Sequence, residues 1–178
     1  ALAIFDLDET LLSSDSDHEW GQFLVKKGFL DKEEHDEKAR LFYDQYKLGV
    51  LDVEAYFRFS CSTLTPFSKD DLDSLLEEFV LTVMEPLILP AGRELISRHL
   101  SAGDYPIVIT ATVETITAPI VEALGIQTLI APIPEIKDND YTGDIAGIPS
   151  FAEGKVTRLM DWISGTQYNL EGSYFYSD

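Results

Sequence analysis

The sequence predicts an α/β fold in which helices flank a parallel β-sheet and a helical bundle is inserted after the first strand. Apolar runs of strand length occur at the start, middle and end of the chain, at residues 1–5, 105–110 and 173–177. Helical patterns alternate with these runs in the second half, which is typical of a parallel sheet. Between about residues 14 and 88, four helical patterns follow one another without a strand.

The composition indicates a soluble globular protein with a substantial core. The chain has 178 residues, 45% of them hydrophobic and 25% charged, enough for one domain or a core with a smaller inserted module. The formal net charge of −19 argues against nonspecific binding to nucleic acid or membranes, which requires basic surfaces. No apolar stretch approaches the roughly 20 residues that span a bilayer. No signal peptide is apparent either, so we expect a cytoplasmic protein.

The first apolar run leads directly into two carboxylates. Residues 1–5 contain neither Gly nor Pro and are typical of a strand buried on both faces. Ligands of open α/β sheets bind beyond the carboxyl ends of such strands, where Asp6 and Asp8 follow. Alternate residues face the same way, so both carboxylates can share a substrate while Leu7 points into the protein. This pair suits phosphoryl transfer with a divalent metal; the alternative is a solvated acidic turn.

The inserted region contains four segments with helical periodicity. We expect helices at residues 18–27, 31–48, 52–62 and 68–84, of which the last three open on a capping Asp or Ser. Two proline-containing steps, Glu85-Pro86 and Leu89-Pro90, mark the return to the sheet. We therefore assign residues 14–88 to a helical cap, and residues 1–13 with 89–178 to the catalytic core.

The second half of the chain alternates between helices and strands. The predicted order is a helix to Gly103, a strand to Thr110, a helix to Gly125, a strand at residues 128–131, a helix from Glu153 and a strand to Ser177. A polar hairpin turn is expected at residues 136–143, and its acidic residues indicate a solvated turn rather than a metal site. Chemically useful side chains stand at element ends: Thr110 ends a strand, Lys155 opens a helix and Asp178 follows the last strand.

The order of these groups resembles the haloacid dehalogenase-like phosphohydrolase superfamily. Its motifs are DxDx[TV], a hydrophobic strand ending in Ser or Thr, a Lys, and a terminal acidic strand. Residues 6–10, Asp-Leu-Asp-Glu-Thr, match the first motif, and Thr110, Lys155 and Asp178 match the others in order. The resemblance covers essentially the whole chain and implies a Rossmann-like core with a cap. The segment Tyr141–Ile145 before Gly154-Lys155 is similar to the phosphoserine-phosphatase-like branch.

The resemblance implies roles for the first two acids. Asp6 would be the nucleophile that forms an aspartyl-phosphate, and Asp8 would protonate the leaving alkoxide and later take a proton from water. The expected phosphate-binding residues, by side chain or by oriented backbone amide, are Asp6, Leu7, Asp8, Thr110, Ala111 and Lys155. Without this context, Thr110 would be interpreted as a helix cap and Lys155 as a solvated surface group.

Mg²⁺ is the cofactor that the resemblance implies. Its expected ligands are the Asp6 carboxylate, the Asp8 backbone carbonyl and Asp178, because hard divalent cations prefer oxygen. The family normally continues with a further acidic residue a few positions later, so we expect the sequence to stop inside this motif. The alternatives are an impaired protein and a terminal Asp that is simply solvated.

Two residues of the inserted region are expected to select the substrate. Asp15 and Arg58 resemble the positions at which the phosphoserine-phosphatase branch binds the substrate's amino group and carboxylate. Asp17 competes with Asp15, and the neutral alternatives are a helix-capping acid and a surface arginine. We therefore expect a Mg²⁺-dependent phosphomonoesterase for a small metabolite, with phosphoserine or a related amino-alcohol phosphate favoured over nucleotides and sugars. The alternatives are a phosphotransferase and a non-catalytic phosphate-binding regulatory or scaffold protein.

Overall fold

The computed structural model describes all 178 residues and contains six strands and seven α-helices. The strands are β1 (Leu2–Phe5), β2 (Tyr105–Ile109), β3 (Thr128–Ile130), β4 (Ile133–Lys137), β5 (Asp140–Ala146) and β6 (Tyr174–Tyr176). The helices are α1 (Ser16–Lys26), α2 (Lys32–Lys47), α3 (Val53–Ser62), α4 (Lys69–Phe79), α5 (Pro90–Ser101), α6 (Glu114–Ala123) and α7 (Glu153–Ser164). None of the helices combines the length and apolarity required to cross a bilayer.

The main sheet has four parallel strands in the order β3-β2-β1-β6. β1 is central, and all four of its residues are buried. Ala3 and Phe5 face the larger hydrophobic cluster of the protein, while Leu2 and Ile4 face the smaller one on the other side of the sheet. Each buried Leu, Ile or Phe contributes about 1.5–3 kcal/mol by leaving water. The predicted α/β class with a parallel sheet is confirmed, and the carboxyl end of β1 is held rigidly between two neighbours.

Four α-helices occupy the segment between β1 and α5. Their caps follow the sequence pattern, since Asp31, Asp52 and Ser68 each accept a hydrogen bond from a backbone N–H three residues further on. The last predicted helix changes its hydrogen bonding: α4 ends at Phe79 and a π-helical turn continues over Val80–Met84. Apolar spacing could not reveal this change, because it reports which face is buried and not which carbonyl each N–H reaches.

The chain leaves the sheet layer and returns to it at neighbouring points. Two backbone hydrogen bonds of 2.9 Å join the crossings, from Ser13 N–H to the Leu87 carbonyl and from Leu89 N–H to the Leu11 carbonyl. We call residues 11–13 and 87–89 the crossing ribbon. It lies at the predicted boundaries of the cap, but one cluster of 25 buried residues contains side chains from both sides of them. The division into a core and a cap therefore stays a prediction.

A small antiparallel hairpin, β4–β5, precedes α7. Its turn residues Asp138 and Asn139 have φ values of 51° and 66°, a conformation that these two residue types tolerate better than most. The hairpin packs beside α3, where Asp144 of β5 forms an ion pair with Arg58. The polar turn expected at residues 136–143 is thus a hairpin that contacts the inserted helices.

Candidate active site

Asp6 lies immediately beyond β1 and continues its pairing with β6. Its backbone N–H donates to the Tyr176 carbonyl at 2.9 Å, which fixes the main chain. The side chain is 18% exposed, and its Oδ1 accepts the N–H of Leu7 at 2.9 Å. Oδ2 accepts a hydrogen bond from Lys155 Nζ at 3.0 Å. A carboxylate is therefore presented at the sheet edge beside a fixed positive charge.

Lys155 reaches this position from the first turn of α7. The turn before the helix is tight: Ala152 has a φ of 49°, and a Cβ on Gly154 would collide with the carbonyl oxygen of Pro149. Glycine at position 154 lets the helix start against that carbonyl, which directs the next side chain toward the sheet. The Lys155 side chain remains 26% exposed and so is only partly covered by the protein. Gly154 is therefore needed for the tight turn before α7, and Lys155 supplies the positive charge beside Asp6.

Asp8 is bound on both carboxylate oxygens. Oδ1 accepts the N–H of Ser16, the first residue of α1, at 2.7 Å. Oδ2 accepts the Thr112 hydroxyl at 2.8 Å and the Thr110 hydroxyl at 3.3 Å. Burial and, to a smaller extent, the nearby Asp15 charge raise the Asp8 pKa to about 6, although the hydrogen bonds from Ser16 and Thr112 act in the opposite direction. A carboxyl group with this pKa can both give and take a proton near neutral pH.

The two carboxylates therefore have different surroundings. Asp6 forms an ion pair with the Lys155 ammonium group. Asp8 faces hydroxyls, one amide and a further acid, and burial favours its protonated form. Paired acids in contrasting environments are the usual basis for separate nucleophile and proton-transfer roles. The arrangement can support attack by one acid while the other moves a proton.

Two further acids stand on α1 beside this pair. Asp15 is the N-cap of the helix and accepts the N–H of His18 at 2.9 Å. Asp17 accepts the Tyr56 hydroxyl at 2.9 Å and the Ser60 hydroxyl at 2.7 Å, both from α3. Burial raises the Asp17 pKa, and the Asp17 charge holds the Tyr56 pKa well above its ordinary value. We call Asp15 and Asp17 the acidic wall of the site. Asp15 is also a helix cap, which was the alternative to a substrate-binding role for this residue.

Arg58 is not brought into this group. Its guanidinium donates to Glu54 at 2.6 Å and to Asp144 at 3.0 Å, and its side chain is 60% exposed. On α3 it is two residues from both Tyr56 and Ser60, about 200° around the helix, and so lies on the opposite face. The structure therefore gives Arg58 two acidic partners of its own and places it away from the Asp17 contacts.

The expected metal ligands are all oxygens. The Asp8 carbonyl accepts no hydrogen bond within the chain, which leaves it free for a cation. Asp178 is exposed and follows β6 by two residues, beside the strand that pairs with Asp6. No three acidic, His or Cys side chains cluster closely enough to hold a metal by themselves. The expected set has only two side chains and one carbonyl, and this donor chemistry fits Mg²⁺.

Four of the predicted phosphate-site residues form two hydrogen-bonded pairs. Lys155 bonds Asp6 and Thr110 bonds Asp8, across 149 and 102 residues of sequence. Thr112 was not among the predicted site residues, yet its hydroxyl is closer to Asp8 than that of Thr110. The spacing Thr110-x-Thr112 repeats that of Asp6-x-Asp8, and this was the available signal. The backbone contact of Ser16 and the Tyr56–Asp17–Ser60 contacts had no signal in the sequence.

The fold thus places two carboxylates with unlike surroundings, and a lysine, at one edge of a parallel sheet. The family model of haloacid dehalogenase-like hydrolases matches residues 3–178. The chain belongs to this family, which confirms the predicted family.

Curated relatives carry phosphatase names, which confirms the predicted class of enzyme, a phosphatase. The chain is 41% identical over 181 residues to a histidinol-phosphatase of Neisseria meningitidis serogroup C, covering 99% of this chain and 82% of the relative. It is 28% identical over 184 residues to phosphoserine phosphatase SerB1 of Mycobacterium tuberculosis. This alignment covers all of the present chain but only 59% of that protein. The nearer of these two similarities extends over most of both proteins.

Solved structures give the same fold. A Bordetella pertussis Tohama I protein of unknown function superposes with a TM-score of 0.90 at 40% identity, covering 98% of this chain and 80% of that one. A substrate-bound phosphoserine phosphatase superposes with a TM-score of 0.64 at 20% identity, covering 98% of this chain and 75% of that one. At this identity the second likeness concerns the fold alone. Both matches extend over the helical segment as well as the sheet.

Proposed function

We propose that the protein is a Mg²⁺-dependent phosphomonoesterase that acts through an aspartyl-phosphate on Asp6. The observation that carries this proposal is the contrast between the two acids: Asp6 is paired with Lys155 at 3.0 Å, while the pKa of Asp8 is raised to about 6. A nucleophile must be charged to attack, and a proton donor must hold its proton at the pH of the reaction. The site offers one residue for each task.

In the first step, an Asp6 carboxylate oxygen attacks phosphorus and the bond from phosphorus to the leaving oxygen breaks. Asp8 gives its proton to that oxygen, so the product leaves as an alcohol. In the second step, Asp8 takes a proton from water while the water oxygen attacks the same phosphorus, which releases Asp6 and inorganic phosphate. The Lys155 ammonium, the Thr110 hydroxyl and the backbone amides of Leu7 and Ala111 are assigned to the phosphate oxygens.

Mg²⁺ would be held by the Asp6 carboxylate, the Asp8 carbonyl and Asp178. When bound, the ion supplies positive charge that offsets the negative charge of phosphate and of the acidic wall. Lys155 gives the only ammonium hydrogen-bonded to either acid of the pair, in a chain with a net charge of −19. An additional cation is therefore needed for a phosphate dianion to approach.

We propose an amino-alcohol phosphate as the substrate class, with histidinol phosphate as the first candidate. The acidic wall formed by Asp15 and Asp17 complements a cationic amine, and Asp15 is the exposed member, because both oxygens of Asp17 already accept hydroxyls. A carboxylate on the substrate would need a basic partner, and Arg58 is bound to Glu54 and Asp144 instead. Histidinol phosphate carries an amine and an imidazole and has no carboxylate. The 41% identity to a histidinol-phosphatase supports the same choice.

A comparison of phosphate monoesters tests the substrate. We expect kcat/KM for histidinol phosphate to exceed that for phosphoserine by at least about tenfold, because the carboxylate would stand unpaired in an acidic site. Phosphoethanolamine, which has the amine alone, should fall between them. Inorganic phosphate release measured with each compound gives the ranking. A clear preference for phosphoserine would contradict the substrate assignment while leaving the phosphatase chemistry intact.

Metal removal tests the cofactor. Dialysis against EDTA should lower phosphatase activity at least about 100-fold, because the charge that balances phosphate is lost. Adding MgCl₂ back should restore it. EDTA already saturated with Mg²⁺ is the matched control and should have no effect. Full activity after dialysis into metal-free buffer would show that Lys155 and the amides suffice, and the Mg²⁺ proposal would be wrong. Turnover of any monoester would exclude the scaffold alternative.

A further inference from the structure

The Asp8 carboxylate is held from two sides of the molecule. Its Oδ1 is bound by a backbone N–H of α1, in the helical segment. Its Oδ2 is bound by the Thr112 hydroxyl at 2.8 Å, from the loop that follows β2 in the sheet layer. The Thr112 bond is the only short side-chain hydrogen bond to Asp8, because the Thr110 hydroxyl lies at 3.3 Å.

The Thr112 hydroxyl is aimed by a fixed backbone. The residue is 4% exposed. Its N–H donates to the Thr110 hydroxyl oxygen at 3.1 Å, and its carbonyl accepts the Thr117 hydroxyl of α6 at 3.4 Å. A β-branched side chain has few rotamers, so a fixed backbone leaves the hydroxyl little freedom. The Thr112 hydroxyl is therefore held in place to donate its hydrogen bond to Asp8 Oδ2.

Thr110 cannot perform the same task while phosphate is bound. A hydroxyl has a single hydrogen to donate, and in the proposed function Thr110 gives it to a phosphate oxygen. The Thr110 hydroxyl oxygen remains the acceptor for the Thr112 N–H, so the two residues keep their relative positions. The Thr112 hydroxyl then stays as the side-chain partner of Asp8 throughout the reaction.

We infer that Thr112 is a positioning residue for proton transfer: its hydroxyl holds the Asp8 carboxyl group in the orientation that delivers a proton to the leaving oxygen. This inference rests on the proposed function, in which Asp8 is the proton donor. Thr112 itself touches neither the phosphorus nor the leaving group. Removing its hydroxyl frees the carboxyl group to rotate, and a small misplacement of a reacting group is costly to the rate.

The leaving group provides a selective test. An alkoxide is a poor leaving group and needs the proton, whereas p-nitrophenolate is stable without one. The value of kcat/KM reports the steps up to departure of the leaving group, and so isolates the first proton transfer. We expect Thr112→Val to lower kcat/KM for histidinol phosphate about 10- to 100-fold, and that for p-nitrophenyl phosphate by no more than about threefold. If histidinol phosphate is not hydrolysed, phosphoserine serves as the alkyl substrate.

Two further variants separate positioning from folding. Thr128→Val makes the same change at a half-buried threonine of β3, whose hydroxyl bonds Tyr105 instead of Asp8, and it should leave both rates near wild type. Thr112→Ser keeps the hydroxyl and should recover most of the alkyl phosphatase rate. Thermal unfolding followed by circular dichroism checks that each variant is folded.

These experiments distinguish failure of the inference about Thr112 from failure of the proposed function. Equal losses with both substrates would make Thr112 a structural residue, and no loss with either would also overturn the inference. If Asp8→Asn in turn left the alkyl phosphatase rate intact, the proton-transfer role of Asp8 itself would be wrong. A large Asp8→Asn effect combined with an indifferent Thr112→Val would reject only the inference about Thr112.

Discussion

Asp6→Asn will abolish phosphatase activity toward every monoester, with kcat reduced at least about 10⁴-fold. The amide keeps the size of the side chain and can still accept the Leu7 N–H, so the turn after β1 is preserved. It is a far weaker nucleophile, and it no longer neutralises the Lys155 ammonium. The loss should therefore be chemical, and the melting temperature should change little.

Trapping of the phosphoenzyme checks this directly. Acid quenching during turnover, followed by mass spectrometry of peptides, should find one phosphoryl group on the peptide containing Asp6 in the wild type and none in Asp6→Asn. Asp73→Asn, the same change on the exposed face of α4, is the control and should label normally. A phosphoryl group found on Asp8 instead would reverse the two roles, and substantial activity of Asp6→Asn would exclude a covalent mechanism.

The second large effect is expected for Asp8→Asn, which removes the group that carries the proton in both steps. We expect steady-state kcat to fall about 10²- to 10⁴-fold. With p-nitrophenyl phosphate the first step needs no proton, so p-nitrophenolate should appear in a rapid burst of about one equivalent per enzyme. The slow phase that follows reports water attack without a base. Stopped-flow absorbance resolves the two phases.

The burst distinguishes Asp8 from a residue needed only for folding or binding. A misfolded enzyme would lose the burst amplitude together with the steady-state rate. The double variant Asp6→Asn with Asp8→Asn should show no burst at all, which is the matched control for the origin of the signal. If Asp8→Asn alone gave neither a burst nor turnover while remaining folded, its role in proton transfer would have to be abandoned.

Much of the site could be predicted because the chemistry lies at element ends. Residues 1–5 are so uniformly apolar that a buried strand was the simple interpretation, and the acids after it had to lie at the sheet edge. Thr110 follows from the same rule, because carboxyl ends of parallel strands meet at one edge. This rule brings Asp8 and Thr110 together across 102 positions of sequence without any knowledge of individual contacts. Lys155, which opens a helix, was predicted from the order of the motifs and the family resemblance.

What could not be predicted depends on the direction of single side chains. Whether Thr110 or Thr112 lies nearer Asp8 depends on the loop after β2, which has no periodic pattern. Arg58 was placed by family position, but the ion pair with Asp144 forms across the chain between α3 and the hairpin. The helix geometry of α3 then separates it from the face that carries Tyr56. Sequence spacing gives such faces only when the exact helix start is known.

The acidic wall is another feature that could not be predicted from the sequence alone. The net charge of −19 was apparent from composition, yet its concentration beside Asp8 was not. Asp17 contacts Tyr56 and Ser60, which are about 40 residues further along the chain and on a different helix. These contacts keep a buried carboxylate bound to hydroxyls, since an unpaired one would be costly. Only the packing of α1 against α3 brings the wall together.

The crossing ribbon has a consequence for how this protein can diverge over evolutionary time. Because residues 11–13 and 87–89 are already hydrogen-bonded to each other, the long excursion between them begins and ends at one anchored spot. Lengthening a flexible excursion whose ends are joined adds little entropic cost, since that cost grows only logarithmically with length. Insertions, deletions and substitutions in the loops between α1 and α4 can therefore accumulate without moving the proposed nucleophile, Asp6. New selectivity can arise there without redesign of the chemistry.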